Sequence, residues 1–143
     1  MRLPMRFVAI LAIAILVTAC AEEQQQAAYT SVSNAQLKEL LAKGIPLVDI
    51  RRPEEWRQTG VIEGSHTITL FGPGGQIHQD FFDKLARIAP RDKPVALICR
   101  TGNRTRVASD YLTKKLGYTR LYNVKHGITD WIRNGNPIVK YQP

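Results

Sequence analysis

The sequence predicts a small α/β domain with a mainly parallel sheet and helices on both of its faces. Short apolar runs typical of buried strands occur at Leu47–Ile50, Val95–Ile98 and Leu121–Val124. Segments with apolar residues at helical spacing lie between them, and strands that alternate with helices favour a parallel sheet. The chain has 143 residues, which is the length of a single domain. We therefore expect three layers: helices, sheet, helices.

The first 19 residues predict a bacterial lipoprotein signal peptide. Arg2 and Arg6 precede an apolar run at 7–17, which is too short for an ordinary membrane-spanning helix but suits a signal-peptide core. The run ends in Val-Thr-Ala-Cys, similar to a lipobox, so we expect Cys20 to become the lipidated first residue of the mature protein. The alternative is an ordinary signal peptide followed by a chance cysteine.

The predicted signal peptide also implies a cellular location. Residues 20–29 are polar and low in complexity, so they indicate a flexible tether between the lipidated Cys20 and a folded domain at 30–143. We expect a protein of the bacterial cell envelope that faces the periplasm. Ala21 follows the cysteine where an Asp would favour the inner membrane, so the outer membrane is the favoured anchor.

The first half of the domain contains a helix start and a charged pair. Ser33 and Gln36 form a capping-box pattern ahead of a helix that Gly44 ends. Asp49 and Arg51 follow the first predicted strand, at the end where α/β sheets place their functional crevice. We interpret these two residues as a structural ion pair, since such pairs outnumber catalytic ones.

The stretch between Gly60 and Pro94 is the less regular part. Residues 60–70 predict a turn and a short edge strand, and residues 71–76 are rich in Gly and Pro and predict a flexible loop. Apolar residues then outline an amphipathic helix that Pro90 ends: Phe81, Phe82, Leu85 and Ile88.

The candidate nucleophile is Cys99, which follows the strand Val95–Ile98 directly. A turn with Gly102 and Asn103 separates it from a helix predicted after Thr105 and ending at Gly117. Backbone N–H groups and a helix N-terminus would point at the sulfur, and such surroundings favour the thiolate. Three arginines close in sequence add to this effect: Arg100, Arg104 and Arg106. The alternative is a small cysteine buried in the core.

The spacing around Cys99 distinguishes two kinds of cysteine chemistry. Cysteine-dependent phosphatases use C-x5-R, but the residue six positions after Cys99 is Thr105. The run C-R-T-G-N-R instead resembles the six-residue active-site loop of rhodanese-type sulfurtransferases, which carry a persulfide on the cysteine. Their dual-specificity phosphatase relatives have a loop one residue longer.

Other motifs extend this resemblance over about residues 30–139. V-D-I-R-R-P-E-E-W at 48–56 is similar to the family's V-D-x-R-x-x-x-E-[FWY]. Residues 60–70 match the next family motif at Gly60 and Gly64 but depart from it at Val61 and Ser65, among others. Residues 125–138 resemble the closing motif, with His126 where glycine is typical. That glycine normally lets the turn approach the active-site loop, so His126 is expected to crowd the pocket or to line it.

The resemblance implies a thiosulfate sulfurtransferase that works by double displacement through a Cys99 persulfide. Its donor would be a small sulfur anion and its acceptor cyanide or a thiol. Asp49 and Arg51 would support the site, and the following loop residues would bind the substrate: Arg100, Thr101, Gly102, Asn103, Arg104 and Thr105. No cofactor is required for this chemistry, and we expect a monomer.

Composition and motif spacing argue against several other classes of function. The formal net charge of +8 is spread over scattered Lys and Arg without a dense run, so nucleic acid is not an expected partner. Three scattered His and two Cys make no metal-binding pattern, and no phosphate-binding glycine motif occurs. The rival functions are a lipid-anchored binding or sulfur-carrier module without turnover, and a thiol redox sensor, which would lack a resolving cysteine.

Overall fold

The computed structural model describes residues 28–143, so the predicted signal peptide and Cys20 lie outside the described residues. The described residues alternate strands and helices from one end to the other. In chain order these are β1 (Thr30–Val32), α1 (Asn34–Ala42), β2 (Leu47–Asp49), α2 (Pro53–Thr59), β3 (His66–Thr67), α3 (Phe81–Ile88), β4 (Val95–Ile98), α4 (Asn103–Leu116), β5 (Leu121–Val124) and α5 (Gly127–Arg133).

The strands form one five-stranded sheet in the order β1-β5-β4-β2-β3. Every paired neighbour is parallel. The predicted α/β class is therefore confirmed, and β4 is the middle strand. The carboxyl ends of β2 and β4 are neighbours, since Asp49 is in register with Ile98. This register brings the residues that follow the two strands to the same edge, here called the carboxyl edge.

The sequence analysis missed β1. This strand has only three residues. Thr30 and Ser31 are exposed and only Val32 is buried, so no hydrophobic run marks the strand in the sequence. It forms by pairing with β5, where Thr30 lies opposite Tyr122 and Val32 opposite Val124. Long-range pairing, and not local propensity, therefore defines this edge of the sheet.

Alternation along the central strands produces an apolar cluster on each face. On one face, Leu97 packs with residues of α3 and α4, among them Phe81 and Leu112. On the other, Ile98 packs with residues of α1 and α5, among them Leu37 and Trp131. All four residues of β4 are buried, as expected for a strand covered on both faces. The predicted three-layer arrangement is thus observed.

The starts of α1 and α4 can be compared directly with the sequence predictions. The predicted capping box is present: the Ser33 hydroxyl accepts from the Gln36 backbone N–H, and the Gln36 side chain accepts from the Ser33 backbone N–H. The prediction for α4 was wrong at its start. The helix begins at Asn103, inside the stretch interpreted as a turn, because Gly102 with φ +91° reverses the chain within one residue.

The tail after α5 packs back on the domain. Val139 and Val61 form an antiparallel bridge with backbone hydrogen bonds of 2.9 Å in both directions. The Trp131 indole N–H donates to the Pro137 carbonyl at 2.9 Å, and the ring of Tyr141 lies 5.1 Å from that of Trp56. Across residues 28–143, no helix combines the length and the apolarity needed to cross a bilayer.

Candidate active site

Cys99 lies at the carboxyl edge, directly after the middle strand of the sheet. It is a free thiol, and only 1% of the residue is exposed. Its carbonyl accepts from the Ile128 N–H at 2.9 Å, which ties it to the start of α5. The thiol is therefore held at the bottom of a short loop, between the starts of α4 and α5.

Gly102 gives the thiol a directed hydrogen bond. Its backbone N–H donates to Cys99 Sγ at 3.2 Å. A Cβ at this glycine would collide with the carbonyl oxygen of Lys125, which follows β5, and its φ of +91° is left-handed. Only glycine fits this tight approach without strain, so the residue type is dictated by the turn that aims the N–H at sulfur.

Thr105, in the first turn of α4, contacts both Gly102 and Cys99 of the loop. The residue is fully buried, and its hydroxyl donates to the Gly102 carbonyl at 3.0 Å. Its Oγ1 also lies 3.5 Å from Cys99 Sγ. Because the first N–H groups of α4 have no intrahelical acceptors, the positive end of the helix dipole faces the same loop. This arrangement can stabilise negative charge on the sulfur or on a group bound above it.

Arg104 is held by a carboxylate that the sequence analysis did not identify as part of the site. Its Nη1 and Nη2 donate to the two oxygens of Glu55 at 2.8 and 2.6 Å. Partial burial alone would raise the pKa of Glu55. The hydrogen bonds from Arg104 and from the Arg52 backbone N–H outweigh it and lower that pKa to about 2. The hydrogen bonds to Glu55 and the charge of Glu55 in turn raise the pKa of Arg104, against the effect of its own burial.

A signal for Glu55 was present in the sequence. It lies in the first turn of α2, which follows β2, and Arg104 lies in the first turn of α4, which follows β4. Because β2 and β4 are adjacent and parallel, the first turns of the two helices meet at the carboxyl edge. Predicting the pair required the strand order, which periodicity alone does not give.

Arg100 borders a cleft beside the loop. The cleft has a volume of about 470 Å³. Arg100 is exposed and forms no ion pair within residues 28–143, whereas Arg52 and Arg104 in the same cleft both contact carboxylates. The cleft is lined by residues of α2, the loop after β3 and the active-site loop: Arg52, Glu54, Glu55, Gln58, Phe71, Gly72, Pro73, Gly75, Arg100 and Arg104. Arg100 is thus the cation in this cleft that remains available to a small anion.

The loop predicted to be flexible contributes one wall of this cleft. It is a tight turn closed by an antiparallel bridge between Phe71 and Ile77, and the Gly72 N–H donates to the Gln76 carbonyl at 2.8 Å. The cleft therefore lies between α2 and this turn.

Asp49 and Arg51 form a buried ion pair beneath α2. Both side chains are 1% exposed, and the Arg51 guanidinium donates to both Asp49 oxygens, at 2.7 Å for the shortest contact. Arg51 also donates to the Thr59 hydroxyl at 2.7 Å and to the Gly60 carbonyl at 2.9 Å. These bonds attach the end of α2 to the end of β2. The pair is therefore placed to support the helix that carries Glu55, without lining the cleft.

Of the remaining predicted site residues, Thr101 lines a second depression and Asn103 does not. Thr101 is exposed and, with His126, lines a cavity of about 340 Å³ next to α5. Asn103 is exposed at the first position of α4. His126, expected to crowd the pocket or to line it, is exposed and lines this cavity. The next residue makes the close approach to the loop: a Cβ at Gly127 would collide with the Arg100 and Cys99 carbonyls. Residues 28–143 hold no cluster of three or more side chains that could bind a metal.

The sequence matches known proteins over nearly all of residues 28–143. The rhodanese-like domain family matches residues 33–134. A sulfurtransferase of Allochromatium vinosum is 33% identical over 115 residues, which cover 76% of this chain and 92% of the relative. A thiosulfate sulfurtransferase of Actinobacillus pleuropneumoniae is 30% identical over 111 residues, which cover 77% of this chain and 93% of the relative.

The fold matches solved structures in the same way. The crystal structure of a rhodanese-related protein from Thermoplasma volcanium is 32% identical to this chain and superposes with a TM-score of 0.60, covering 79% of this chain and 100% of that one. Both the sequence match and the arrangement of strands and helices therefore lead to one assignment. The chain belongs to the rhodanese-like domain family, whose members similar to it include sulfurtransferases.

Proposed function

We propose that the protein transfers sulfane sulfur from thiosulfate to a nucleophilic acceptor through a persulfide on Cys99. The observation that carries the proposal is the hydrogen bond from the Gly102 N–H to Cys99 Sγ at the positive end of α4. An anionic sulfur is stabilised at such a position. Arg100, which forms no ion pair with any of residues 28–143, lines the cleft beside it and supplies a cation for an anionic donor.

In the first step the Cys99 thiolate attacks the outer sulfur of thiosulfate. A sulfur–sulfur bond forms to Cys99, the bond inside thiosulfate breaks, and its electron pair leaves with sulfite. Arg100 and the N–H groups of the first turn of α4 balance the charge of the leaving group. The attacking group in this step is a thiolate, so the step itself includes no proton transfer and no general base.

In the second step an acceptor attacks the terminal sulfur of the persulfide. Cyanide takes the sulfur as thiocyanate and the Cys99 thiolate is restored; a thiolate acceptor would become a persulfide in the same way. The starting and final states of the protein are identical, so the cycle requires no external oxidant or reductant. The shielding of Cys99 favours small reactants such as these.

The test is thiocyanate release from thiosulfate and cyanide, measured together with the intact mass of the protein after thiosulfate treatment. We expect turnover and a gain of about 32 Da, one sulfur atom. Cys99→Ser should lose both while keeping the wild-type circular dichroism spectrum. Mass gain without turnover toward cyanide or thiols would favour a sulfur carrier. No mass gain from thiosulfate would refute the sulfur chemistry and favour a binding module.

We further propose that Cys20 is lipidated and that the domain faces the periplasm, with the outer membrane as the favoured anchor. The basis is the signal-like segment at 1–19 and its lipobox-like end. Incorporation of labelled palmitate in a bacterial host tests this directly. The label should be lost in Cys20→Ser and kept in Cys99→Ser, and equal labelling of wild type and Cys20→Ser would overturn the proposal.

A further inference from the structure

The edge of the sheet opposite the active site carries a concentration of positive charge. All strands are parallel, so the loops that precede β2, β4 and β5 meet at one end of the domain, here called the amino edge. The cations at this edge are all exposed; they are Lys43, Arg87, Arg91, Lys93, Lys114, Lys115 and Arg120. Two acids contact these cations: Asp92 lies 3.7 Å from Lys93, and Asp110 pairs with Lys114 at 2.9 Å. Two further exposed acids, Glu39 and Asp83, lie one helical turn before Lys43 and Arg87. The cations outnumber these acids at the amino edge.

Backbone contacts hold the basic loops side by side. The Thr119 N–H donates to the Arg91 carbonyl at 3.1 Å, and the Val95 N–H donates to the Arg120 carbonyl at 3.1 Å. The Tyr118 hydroxyl donates to the Ala89 carbonyl at 3.3 Å. Arg91, Lys93 and Arg120 thus belong to one fixed surface and not to separate loops.

Helix electrostatics explain only part of this charge. Arg87 lies in the last turn of α3, and Lys114 and Lys115 lie in the last turn of α4. Cations there interact favourably with the helix dipole. Arg91, Lys93 and Arg120 lie outside the helices, and no helix dipole accounts for them.

The chain enters the domain at the same edge. The strand β1 begins at Thr30 and runs parallel to β5, so its start lies beside the start of β5. Tyr29 packs against the apolar cluster beneath α3 and α4. Burial and the nearby carboxylate of Asp110 raise the pKa of Tyr29, and the charges of Arg106 and Lys114 on α4 oppose this only in part. The segment that carries Cys20 is therefore joined to the domain at the edge where the basic surface lies.

We infer that the amino edge is a docking surface for a bilayer that contains anionic phospholipids. Exposed Lys and Arg beside a membrane attachment point gain from the negative surface potential of such lipids. The proposed lipid on Cys20, which precedes the entry of the chain into the domain at Thr30, would hold this edge close to the bilayer. The inference is independent of sulfur transfer, since none of these cations lines the cleft beside Cys99.

This docking fixes the orientation of the domain. Cys99 lies at the carboxyl edge, beyond the four residues of β4, which span about 13 Å. With the amino edge on lipid, the active-site loop faces away from the bilayer. Water-soluble donors and acceptors then reach the cleft from solvent and not along the membrane plane.

The test measures binding of residues 28–143 to vesicles by co-sedimentation. This segment contains all the observed strands and both apolar clusters, and the whole of the Thermoplasma structure aligns within this chain, so it folds without the preceding residues. One set of vesicles is phosphatidylcholine with about a third phosphatidylglycerol, and the other is phosphatidylcholine alone. We expect binding to the anionic vesicles only, with loss at high ionic strength.

Two variants with four substitutions each distinguish the effect of this surface on vesicle binding from the effect of overall net charge. Arg91→Gln, Lys93→Gln, Lys115→Gln and Arg120→Gln together should weaken vesicle binding at least about tenfold. Lys38→Gln, Arg57→Gln, Lys84→Gln and Lys140→Gln remove the same charge from exposed positions elsewhere and should change binding by less than about threefold. Thiosulfate:cyanide turnover should be the same in both variants, which keeps this test separate from that of the proposed function.

Three results would overturn the inference. The first is equal loss of vesicle binding in both variants, which would indicate a general effect of net charge. The second is absence of binding to anionic vesicles at low ionic strength. The third is salt-sensitive binding to an RNA or DNA oligonucleotide that exceeds vesicle binding and depends on the same four cations, which would assign the surface to nucleic acid.

Discussion

Glu55 on α2 and Arg104 on α4 face each other as a planar, two-bond ion pair at the mouth of the active-site loop. The bonds measure 2.6 and 2.8 Å, and the side chains are 14% and 26% exposed. A guanidinium in this geometry has a fixed position and much of its charge balanced. Arg104 therefore fixes the loop, while Arg100 remains the cation available to an anionic substrate.

Glu55→Gln should lower the free energy of unfolding by about 1–2 kcal/mol, because it leaves a partly buried guanidinium without its charged partner. Chemical denaturation measures this change. Glu54→Gln is the matched control: Glu54 contacts Arg52 but is 55% exposed, and its loss should cost less than about 0.5 kcal/mol. An equal loss of unfolding free energy in the two variants would show that the Glu55–Arg104 pair stabilises the protein no more than the exposed Glu54–Arg52 pair does.

Stability should depend on Glu55 between about pH 4.5 and pH 2. The pKa of its carboxyl falls from an ordinary value of 4.5 to about 2 in the folded protein. The unfolded state therefore takes up a proton first as the pH falls, so the stabilisation is complete above about 4.5 and lost on the way to 2. The difference in unfolding free energy between wild type and Glu55→Gln should shrink over this window. A constant difference from pH 6 to pH 2.5 would contradict the assignment.

Arg100→Gln should raise the KM for thiosulfate about fivefold to tenfold, because it removes the unpaired cation of the cleft. The increase should be smaller at high ionic strength, where the charge is screened. Arg106→Gln is the control, since Arg106 is equally exposed on α4 but does not line the cleft; its KM should stay within about twofold. Similar KM values for both variants would contradict a role for Arg100 in thiosulfate recognition.

Gly102→Ala should destabilise the protein by at least about 2 kcal/mol and reduce turnover, since a Cβ would collide with the Lys125 carbonyl and displace the N–H that binds sulfur. Gly117→Ala, at the other end of α4, provides a matched comparison. Gly117 also has a positive φ, of 74°, but open space around it. It should cost about 1–2 kcal/mol and leave kcat unchanged. A fully active Gly102→Ala enzyme would show that the hydrogen bond to sulfur is dispensable.

The sequence predicted those parts of the structure that depend on local patterns. Val95–Ile98 is a continuous apolar run, Ser33 and Gln36 have capping-box spacing, and both features are observed where expected. Cys99 could be placed at the carboxyl edge because a glycine turn and a helix follow a buried strand. In each case the residues that determine the structure are neighbours along the chain.

The sequence analysis failed where distant residues determine the structure. The strand β1 exists through its partner β5, and the Glu55–Arg104 pair exists through the adjacency of β2 and β4. His126 was expected to crowd the pocket or to line it; it lines a cavity with Thr101, while Gly127 makes the close approach to the loop. Locating that approach required the path of the turn before α5, which the motif alone does not give.

The parallel pairing of β1 with β5 also has a mechanical consequence. A pull on the chain ahead of Thr30, directed along the strand, loads the hydrogen bonds between β1 and β5 together and not one after another, because the two strands run in the same direction. The strand must slide past its neighbour before the sheet opens. A domain attached through its N-terminal side thus resists tension by shear, and Cys99, two strands away at the far end of β4, remains undisturbed while β1 holds.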